Sequence, residues 1–447
     1  MSELPSASLL ENARFNALVI VPNAVQGLFR RRRALVAAAT RANVDGWAVG
    51  LLGGMKRSHA GGPVWVRVMR DRALLLLAPA DVHRALHGSP DPFAGDPKAK
   101  RDGMCAFQPD ALTISRGDLW RNRRAFTEAV LDTGQPLHRF ADRFAGVARE
   151  ESDALLLSCD GDAGRLTWEE WQAAFRRLTR RVVLGDRARD DEALSELLRE
   201  MMSEANGMPG KPSDRYPDFI SRLSAYVDAP EVGSLVALFD EAPSDESTRP
   251  TGQAAHWLFA THDTLAINAF RALAVLASHP RQRARLDEEL AGFQPDDALG
   301  ADVARLDYLE AFLHEAMRLW PTTPMLSREI LTDTEWSGVS VPAGTNVLIP
   351  NTFLHRDTDR HPWADRFAPE QWLDGDAPDD WCFNHFSRGP QGCPGAGLAL
   401  FLAKAVLATL LRRREVELVS PSLDPERSLP HMLDFFGLRF DLRERAA

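Results

Sequence analysis

The sequence predicts a mainly α protein with small β-sheets, folded as one large domain. Most of residues 119–319 carries apolar side chains at helical spacing, which is the first sign of this class. Short alternating segments typical of strands lie before and after that region, and no Gly/Ser-rich linker divides the chain. The chain has 447 residues, of which 45% are hydrophobic, so it can bury a large core.

Composition excludes several classes of protein. The net charge of −10 argues against a nucleic-acid partner. The four cysteines form no CxxC pair, which suits a reducing cytoplasm. The apolar run 17–21 ends at Pro22 and is too short for a membrane anchor, so we expect a soluble cytoplasmic protein. The basic run 30–33 is interpreted as a solvated helix face.

The first third of the chain predicts a β-hairpin and a long loop. Residues 64–68 and 74–77 are apolar segments around a turn at Asp71. His83 and His87 share one face of a short helix, but without a nearby acidic residue they do not favour a zinc site. Residues 89–110, rich in Pro, Gly and Asp, are predicted to form a loop.

Helices follow, and one of them is exceptional. The predicted helices are 119–131, 136–157, 168–183, 192–206, 214–227 and 307–319. The segment 253–278 contains neither Gly nor Pro and would extend about 39 Å as a buried helix. Asp263 and Thr264 lie in its middle, where a carboxylate must be paired, hydrated or protonated. Short strands are predicted around a turn in 336–349, and at 415–419 and 438–442.

The stretch 386–397 combines a large apolar residue, four glycines and one cysteine. Cys393 comes just before an almost wholly apolar helix at 398–411, where free N–H groups and the helix dipole stabilise a thiolate. A thiolate in such a loop is a good ligand for haem iron. The alternative is a free cysteine buried in a turn.

The pattern Phe-x-x-Gly-x-x-x-Cys-x-Gly, with Phe386, Gly389, Cys393 and Gly395, resembles the haem-binding loop of the cytochrome P450 superfamily. The resemblance implies the P450 fold around a buried haem b, with Cys393 as the proximal iron ligand. Gln391 stands where that family usually has a His or Arg that contacts a haem propionate. We therefore expect Gln391 to donate a hydrogen bond there without adding a charge.

Further motifs resemble the family in the same order along the chain. Trp120 and Arg124 match its Trp-x-x-x-Arg, and Arg328 matches a second arginine that reaches a propionate. Glu315 and Arg318 match the Glu-x-x-Arg that forms a buried structural ion pair. The usual third partner, an arginine, is replaced by Gln371, so Gln371, Arg356 or Arg366 is expected to complete the group.

The segment 260–264 resembles the family's oxygen-activation motif, with Asp263 and Thr264 as the acid–alcohol pair and Thr261 in place of a common glycine. The resemblance implies one domain over residues 1–447. Within it, residues 1–60 form an N-terminal segment outside the motifs, 253–278 the oxygen-binding helix, and 386–411 the haem loop with its proximal helix.

The resemblance implies a soluble, bacterial-type haem-thiolate monooxygenase. Such an enzyme would hydroxylate or epoxidise a mostly apolar small molecule, which is in keeping with secondary metabolism. Electrons would come from NAD(P)H through a separate ferredoxin or flavodoxin and its reductase, for which the basic residues 412–414 are one docking candidate. The candidate pocket residues are Phe93, Phe107, Tyr216, Met325, Leu326, Met432 and Phe435. Two alternatives remain: oxidative ring closure, coupling or peroxide-driven oxidation at the same haem, and a haem protein that binds a ligand without turnover.

Overall fold

The structure is a computed structural model that describes residues 3–161, 164–207 and 210–445. Helices account for most of these residues. The helices of the first half are α1 Leu9–Phe15, α2 Val21–Gln26, α3 Arg33–Arg41, α4 Val44–Ser58, α5 Pro79–His87, α6 Lys98–Met104, α7 Gly117–Val130, α8 Ala141–Asp160 and α9 Trp168–Leu184. Those of the second half are α10 Glu192–Ala205, α11 Tyr216–Val227, α12 Pro250–Phe259, α13 Ala266–Ser278, α14 Pro280–Leu290, α15 Gly300–Ala304, α16 Asp307–Leu319, α17 Asn351–Leu354 and α18 Ala396–Arg413. This content confirms the predicted mainly α class.

The strands form small sheets at the edges of the helical body. They are β1 Val64–Val68, β2 Asp71–Leu75, β3 Phe93–Ala94, β4 Arg165–Leu166, β5 Leu326–Ile330, β6 Thr334–Trp336, β7 Val339–Val341, β8 Asn346–Ile349, β9 Arg414–Ser420 and β10 Arg439–Glu444. One sheet has the order β1-β2-β8-β5-β3, in which only the β2–β8 pair is parallel. A second has the order β4-β10-β9, and β6 and β7 form a hairpin.

Two apolar clusters hold these elements together. The larger cluster is built from the helices between α7 and α18, and the smaller one lies against the five-stranded sheet. Leu4, Phe15 and Leu52 belong to the smaller cluster, so the N-terminal segment packs on the sheet through buried side chains. Burial of apolar area is the main stabilising contribution in both clusters.

The central helix runs without a break but widens into a π-helical turn at residues 260–265, which include the predicted oxygen-activation motif. Helix α12 gives way to a π-helical turn at Ala260–Leu265, and α13 follows without a break. The Thr261 hydroxyl donates to the carbonyl of Trp257 at 2.6 Å, which competes with the regular backbone bonds in this turn. Such wide turns are frequent at functional sites. The Trp171 indole N–H donates to the carbonyl of Ala266 at 2.9 Å and ties α9 to the end of this turn.

Most predicted elements are present, with one correction. The predicted loop 89–110 is wrong in part, because it contains β3 and α6. Strand β3 pairs with β5, and such a short strand depends on its partner rather than on its own sequence. The rings of His83 and His87 stack at 5.4 Å beside Trp381. In the part of the chain that the structure describes, no helix is long and apolar enough to cross a membrane.

Candidate functional site

The cysteine loop is a tight turn closed by backbone bonds. The Cys393 N–H donates to the carbonyl of Phe386 at 2.8 Å. Gly389 has a φ of 69°, and a Cβ there would come within 2.3 Å of the carbonyl oxygen of Leu86. Only glycine fits this position, because the left-handed conformation and the close backbone approach both exclude a side chain. Helix α18 begins three residues after Cys393, at Ala396.

The Cys393 side chain borders an internal cavity of about 330 Å³, which we call the cysteine cavity. Burial raises the pKa of the Cys393 thiol, while the Gly395 N–H and the charge of Arg124 act in the opposite direction. Both of these groups favour a thiolate. Cys382 is fully buried elsewhere in the smaller apolar cluster, and burial raises the pKa of its thiol to about 12.

Three cations line the cysteine cavity. Arg124 donates to the carbonyl of Gly392 at 2.6 Å and to Glu128 at 2.6 Å, so it links α7 to the cysteine loop. Arg328, which is buried on β5, donates to the hydroxyls of Ser89 and Ser387 at 3.0 and 2.9 Å. Lys100 on α6 is the third cation, and the sequence analysis missed it because its helix was interpreted as loop.

The pKa values of two of these cations are depressed. Burial and the nearby charge of Arg328 together lower the pKa of Lys100 to about 7, against the opposing charge of Asp96. Burial alone lowers the pKa of Arg328 to about 10. The site therefore concentrates positive charge where solvent cannot screen it, and a buried anion would relieve that repulsion.

Trp120 and Gln391 also line the cysteine cavity. Gln391 Oε1 is a buried polar atom without a hydrogen-bond partner among the described residues. A buried amide in this state normally indicates a missing ligand or water. Gln391 packs close to Gly95, where an added Cβ would come within 2.7 Å of its Oε1.

Glu315 and Arg318 form a fully buried ion pair on α16. Arg318 Nε and Nη2 each donate to one carboxylate oxygen of Glu315 at 2.7 Å. The remaining donors reach the carbonyls of His355, Ala364 and Arg366. All five guanidinium N–H donors are therefore used.

The group that completes this pair differs from every candidate that the sequence suggested. The Trp372 indole N–H donates to Glu315 Oε2 at 2.9 Å, and the Ala368 N–H donates to Oε1 at 2.9 Å. Gln371 makes no such contact, and Arg356 is paired with Asp365 at 2.7 Å. Arg366 contributes only its backbone carbonyl to Arg318. The neutral indole supplies one strong donor in the required position.

Asp263 and Thr264 lie in the π turn of the central helix, but they face different surroundings. Thr264 borders the cysteine cavity and also a second cavity of about 290 Å³. Asp263 borders only the second cavity, where its carboxylate accepts a hydrogen bond of 2.7 Å from Gln172. Burial raises the pKa of Asp263, while the charge of Arg176 opposes this effect.

The second cavity, which we call the arginine cavity, contains some of the predicted pocket residues. Met432 and Phe435 line it, and Leu326 lines the cysteine cavity. The other predicted pocket residues lie outside both cavities: Phe93, Phe107, Tyr216 and Met325. Phe93 and Phe107 are core residues that pack against other aromatic rings. The mostly apolar substrate pocket stays a prediction, and five arginines line the arginine cavity.

The two basic runs lie in different surroundings. Arg30 and Arg31 do not belong to a solvated face, since both line the arginine cavity. In the run 412–414, Arg413 forms ion pairs with Asp153 and Asp296, and Arg414 pairs with Asp160. Arg413 and Arg414 are thus engaged by carboxylates, and a docking role for residues 412–414 stays a prediction.

Comparison with known proteins supports the same assignment. The family model described as Cytochrome P450 matches residues 244–435, which include the π turn, the Glu315–Arg318 pair and the cysteine loop. This matched segment, somewhat less than half of the chain, is similar to the cytochrome P450 superfamily.

The P450 relatives with sequence similarity are eukaryotic. "Cytochrome P450 4c3" of Drosophila melanogaster is 32% identical over 173 residues, 36% of this chain and 32% of that protein. "Cytochrome P450 3A12" of Canis lupus familiaris is 31% identical over 160 residues, 35% and 32% of the two chains. "Cytochrome P450 monooxygenase buaD" of Petromyces alliaceus is 30% identical over 188 residues, 38% and 35%. The chain thus spans about a third of the length of the curated relatives it matches.

The similarity to cytochrome P450 proteins points to a haem cofactor, and the residues of the cysteine cavity fit one. Haem needs a thiolate, apolar walls and counter-charges for two carboxylates. Cys393, apolar side chains of α18 and the three cations lie around this single cavity. Among the described residues that line it, several buried polar atoms have no hydrogen-bond partner: Thr127 Oγ1, Thr179 Oγ1, Asn268 Oδ1, His385 Nδ1 and Gln391 Oε1.

Proposed function

We propose that this protein is a haem-thiolate monooxygenase that hydroxylates or epoxidises a small organic molecule. Haem bound in the cysteine cavity would supply O₂ binding and one-electron chemistry. The observation that carries the proposal is the position of Thr264. This hydroxyl borders both the cavity that holds the Cys393 thiol and the arginine cavity next to it. A substrate in the arginine cavity would therefore meet the cofactor at Thr264.

The proposed roles in holding haem follow from the geometry of the cysteine cavity. Cys393 would be the iron ligand, and Phe386 would shield it from solvent. The glycines at 389 and 395 keep the backbone close to the cofactor. The propionates would be bound by side chains that line the cavity: Lys100, Trp120, Arg124, Arg328 and Gln391.

Asp263 and Thr264 would deliver protons during oxygen activation. A hydroxyl at the boundary of the cavities can order a water molecule, and a carboxyl next to it can exchange protons with that water. Burial raises the pKa of Asp263, so its carboxyl is protonated more readily than an exposed aspartate. Gln172 holds the carboxylate in place through its hydrogen bond.

The proton role is tested by reductant-driven oxygen uptake with NADPH, a surrogate ferredoxin and its reductase. Thr264→Ala should still consume NADPH but release most of the oxygen as hydrogen peroxide, because the hydroxyl that orders the proton-delivering water is lost. Asp263→Asn should slow oxygen uptake by about 10²–10⁴-fold, the usual contribution of positioned proton transfer.

Thr261→Ala is the matched control, since its hydroxyl is engaged by the Trp257 carbonyl in the same turn. Unchanged rate and peroxide yield in both Asp263 and Thr264 variants would contradict the proton role. A haem-loaded wild type that takes up no oxygen with any electron donor would contradict the monooxygenase, and would favour a protein that binds ligands without turnover.

The proposed electron source is NAD(P)H, acting through a ferredoxin or flavodoxin and its reductase. The proposal rests on the similarity to cytochrome P450 proteins, because P450 chemistry requires electrons one at a time. The proposed location is the cytoplasm.

A further inference from the structure

The arginine cavity carries an excess of positive charge. Five arginines line it, against the two carboxylates of Asp45 and Asp263. The arginines come from separate parts of the chain: Arg30, Arg31, Arg176, Arg199 and Arg271. His431 also lines the cavity, but burial lowers the pKa of its ring to about 4, so it is neutral at physiological pH. Arg199 is paired with Glu196, which does not line the cavity, so the formal excess is two positive charges.

Two of these guanidinium groups have unused donors. Within residues 3–161, 164–207 and 210–445, Arg31 and Arg176 make no side-chain hydrogen bond and no ion pair within 4 Å. A buried arginine normally satisfies its five N–H donors with carboxylates or carbonyls. Burial lowers the pKa of Arg31, while the charge of Asp45 opposes that shift. Arg31 is half-buried, and its guanidinium donors therefore remain open to a ligand in the cavity.

Arg271 adds a fixed charge next to Arg31. Its Nη1 donates to the carbonyl of Trp320 at 3.0 Å, and Nε and Nη2 donate to the carbonyl of Leu433 at 3.2 and 3.0 Å. These neutral acceptors orient the guanidinium but do not neutralise it. Burial lowers the pKa of Arg271 to about 9, and repulsion from Arg31 contributes to that shift. Both arginines remain charged at neutral pH.

Apolar residues also line the cavity, and Phe435 lies against Arg271, whose Cζ is 5.5 Å from the centre of its ring. Phe259, Ile267 and Phe435 line the cavity together with Thr264, the residue that also borders the cysteine cavity. A ligand held by Arg31 and Arg271 through one end can therefore place an apolar body along these residues. Its far end would reach the boundary with the cysteine cavity.

We propose that the substrate of this protein is a small organic carboxylate, whose carboxylate group binds the guanidinium groups of Arg31 and Arg271 while its apolar body extends towards Thr264. This proposal rests on the proposed monooxygenase function for the oxidation itself, but the binding site is defined by the arginines alone. Arginine suits this ligand, because its planar N–H pairs match the geometry of a carboxylate.

The test compares an acid with a neutral analogue of the same shape. Binding of 4-phenylbutyrate and of its methyl ester to the haem-loaded protein is measured by calorimetry, which requires no turnover. The wild type should bind the acid at least about ten-fold more tightly than the ester, the usual strength of a charge-assisted hydrogen bond. Arg31→Gln should remove this preference, and Arg31→Glu should transfer it to 4-phenylbutylamine.

Arg32→Gln is the matched control, because Arg32 is the exposed neighbour of Arg31 and does not line the cavity. It should keep the preference of the wild type. Equal affinity for acid and ester, no binding of the acid, or an Arg31→Gln variant that keeps the preference would overturn the proposal. If the reduced protein with CO lacks the band of a thiolate-ligated haem, the proposed haem function is wrong. The calorimetric preference for the acid does not depend on that spectrum, so the two failures can be distinguished.

Discussion

Arg318 and Arg31 show how differently two regions of this protein treat a guanidinium group. Arg318 is fully buried, and all five of its donors have acceptors in Glu315 and the backbone. Arg31 lines a cavity and has no acceptor within hydrogen-bonding distance among the described residues. A satisfied buried charge holds the fold together, whereas an unsatisfied one is available to a ligand.

The largest effect is expected at the satisfied pair. Arg318→Ala would leave the Glu315 carboxylate buried without its counter-charge, which should lower the free energy of unfolding by about 3–5 kcal/mol. Urea denaturation measures this change. Arg121→Ala is the control, because Arg121 forms a pair of the same spacing with Asp118 on the protein surface. We expect no measurable change there. If both variants lost the same free energy of unfolding, the buried pair would contribute no more to stability than a surface pair.

A second substitution tests the partner that replaces the expected arginine. Trp372→Phe keeps an aromatic ring but removes the N–H that donates to Glu315. The free energy of unfolding should fall by about 1.5–3 kcal/mol, the usual value for a hydrogen bond to a charged group. Gln371→Ala should leave stability unchanged, since Gln371 does not contact the pair. If Gln371→Ala lowered the free energy of unfolding and Trp372→Phe did not, Gln371 would be the third partner of the pair.

The difference between Trp372 and Gln371 illustrates what sequence can predict here. Glu315 and Arg318 are one helical turn apart, so their pairing follows from local spacing. The third partner is about 57 residues away, and its identity depends on how the turn at 369–372 meets α16. Neighbouring positions in that turn face different directions, and sequence alone cannot choose between them.

The cavities show the same limit over longer distances. The cysteine loop and the central helix could be predicted because each motif lies within one segment. The arginine cavity could not, because Arg31 and Arg271, which both line it, lie far apart in the sequence. Lys100 was missed for a similar reason, since α6 is short and short helices depend on tertiary contacts.

A smaller effect tests the charge balance of the arginine cavity. Burial raises the pKa of Asp45 to about 6, against the opposing charges of Arg31, Arg271 and Arg356. As the pH falls through this value, Asp45 loses its negative charge and the cavity becomes more positive. The affinity for 4-phenylbutyrate should therefore rise a few-fold between about pH 7.5 and pH 5.5, on the order of 1 kcal/mol.

Calorimetry at both pH values, with Asp45→Asn as the comparison, measures this contribution. Asp263 also lines the cavity with a raised pKa, so Asp45→Asn should weaken the pH dependence rather than abolish it. His431 contributes nothing in this range, because its pKa is about 4. An unchanged pH dependence in Asp45→Asn would show that Asp45 does not control the charge of the cavity.

The most direct test of the whole assignment is the spectrum of the reduced protein with CO. Wild type and Cys382→Ser should both show the strongly red-shifted Soret band of a thiolate-ligated haem, because Cys382 is buried away from the cysteine cavity. Cys393→Ser should lose that band. If Cys393→Ser keeps the band and Cys382→Ser loses it, the cavity next to Cys393 is not the haem site and the account is wrong.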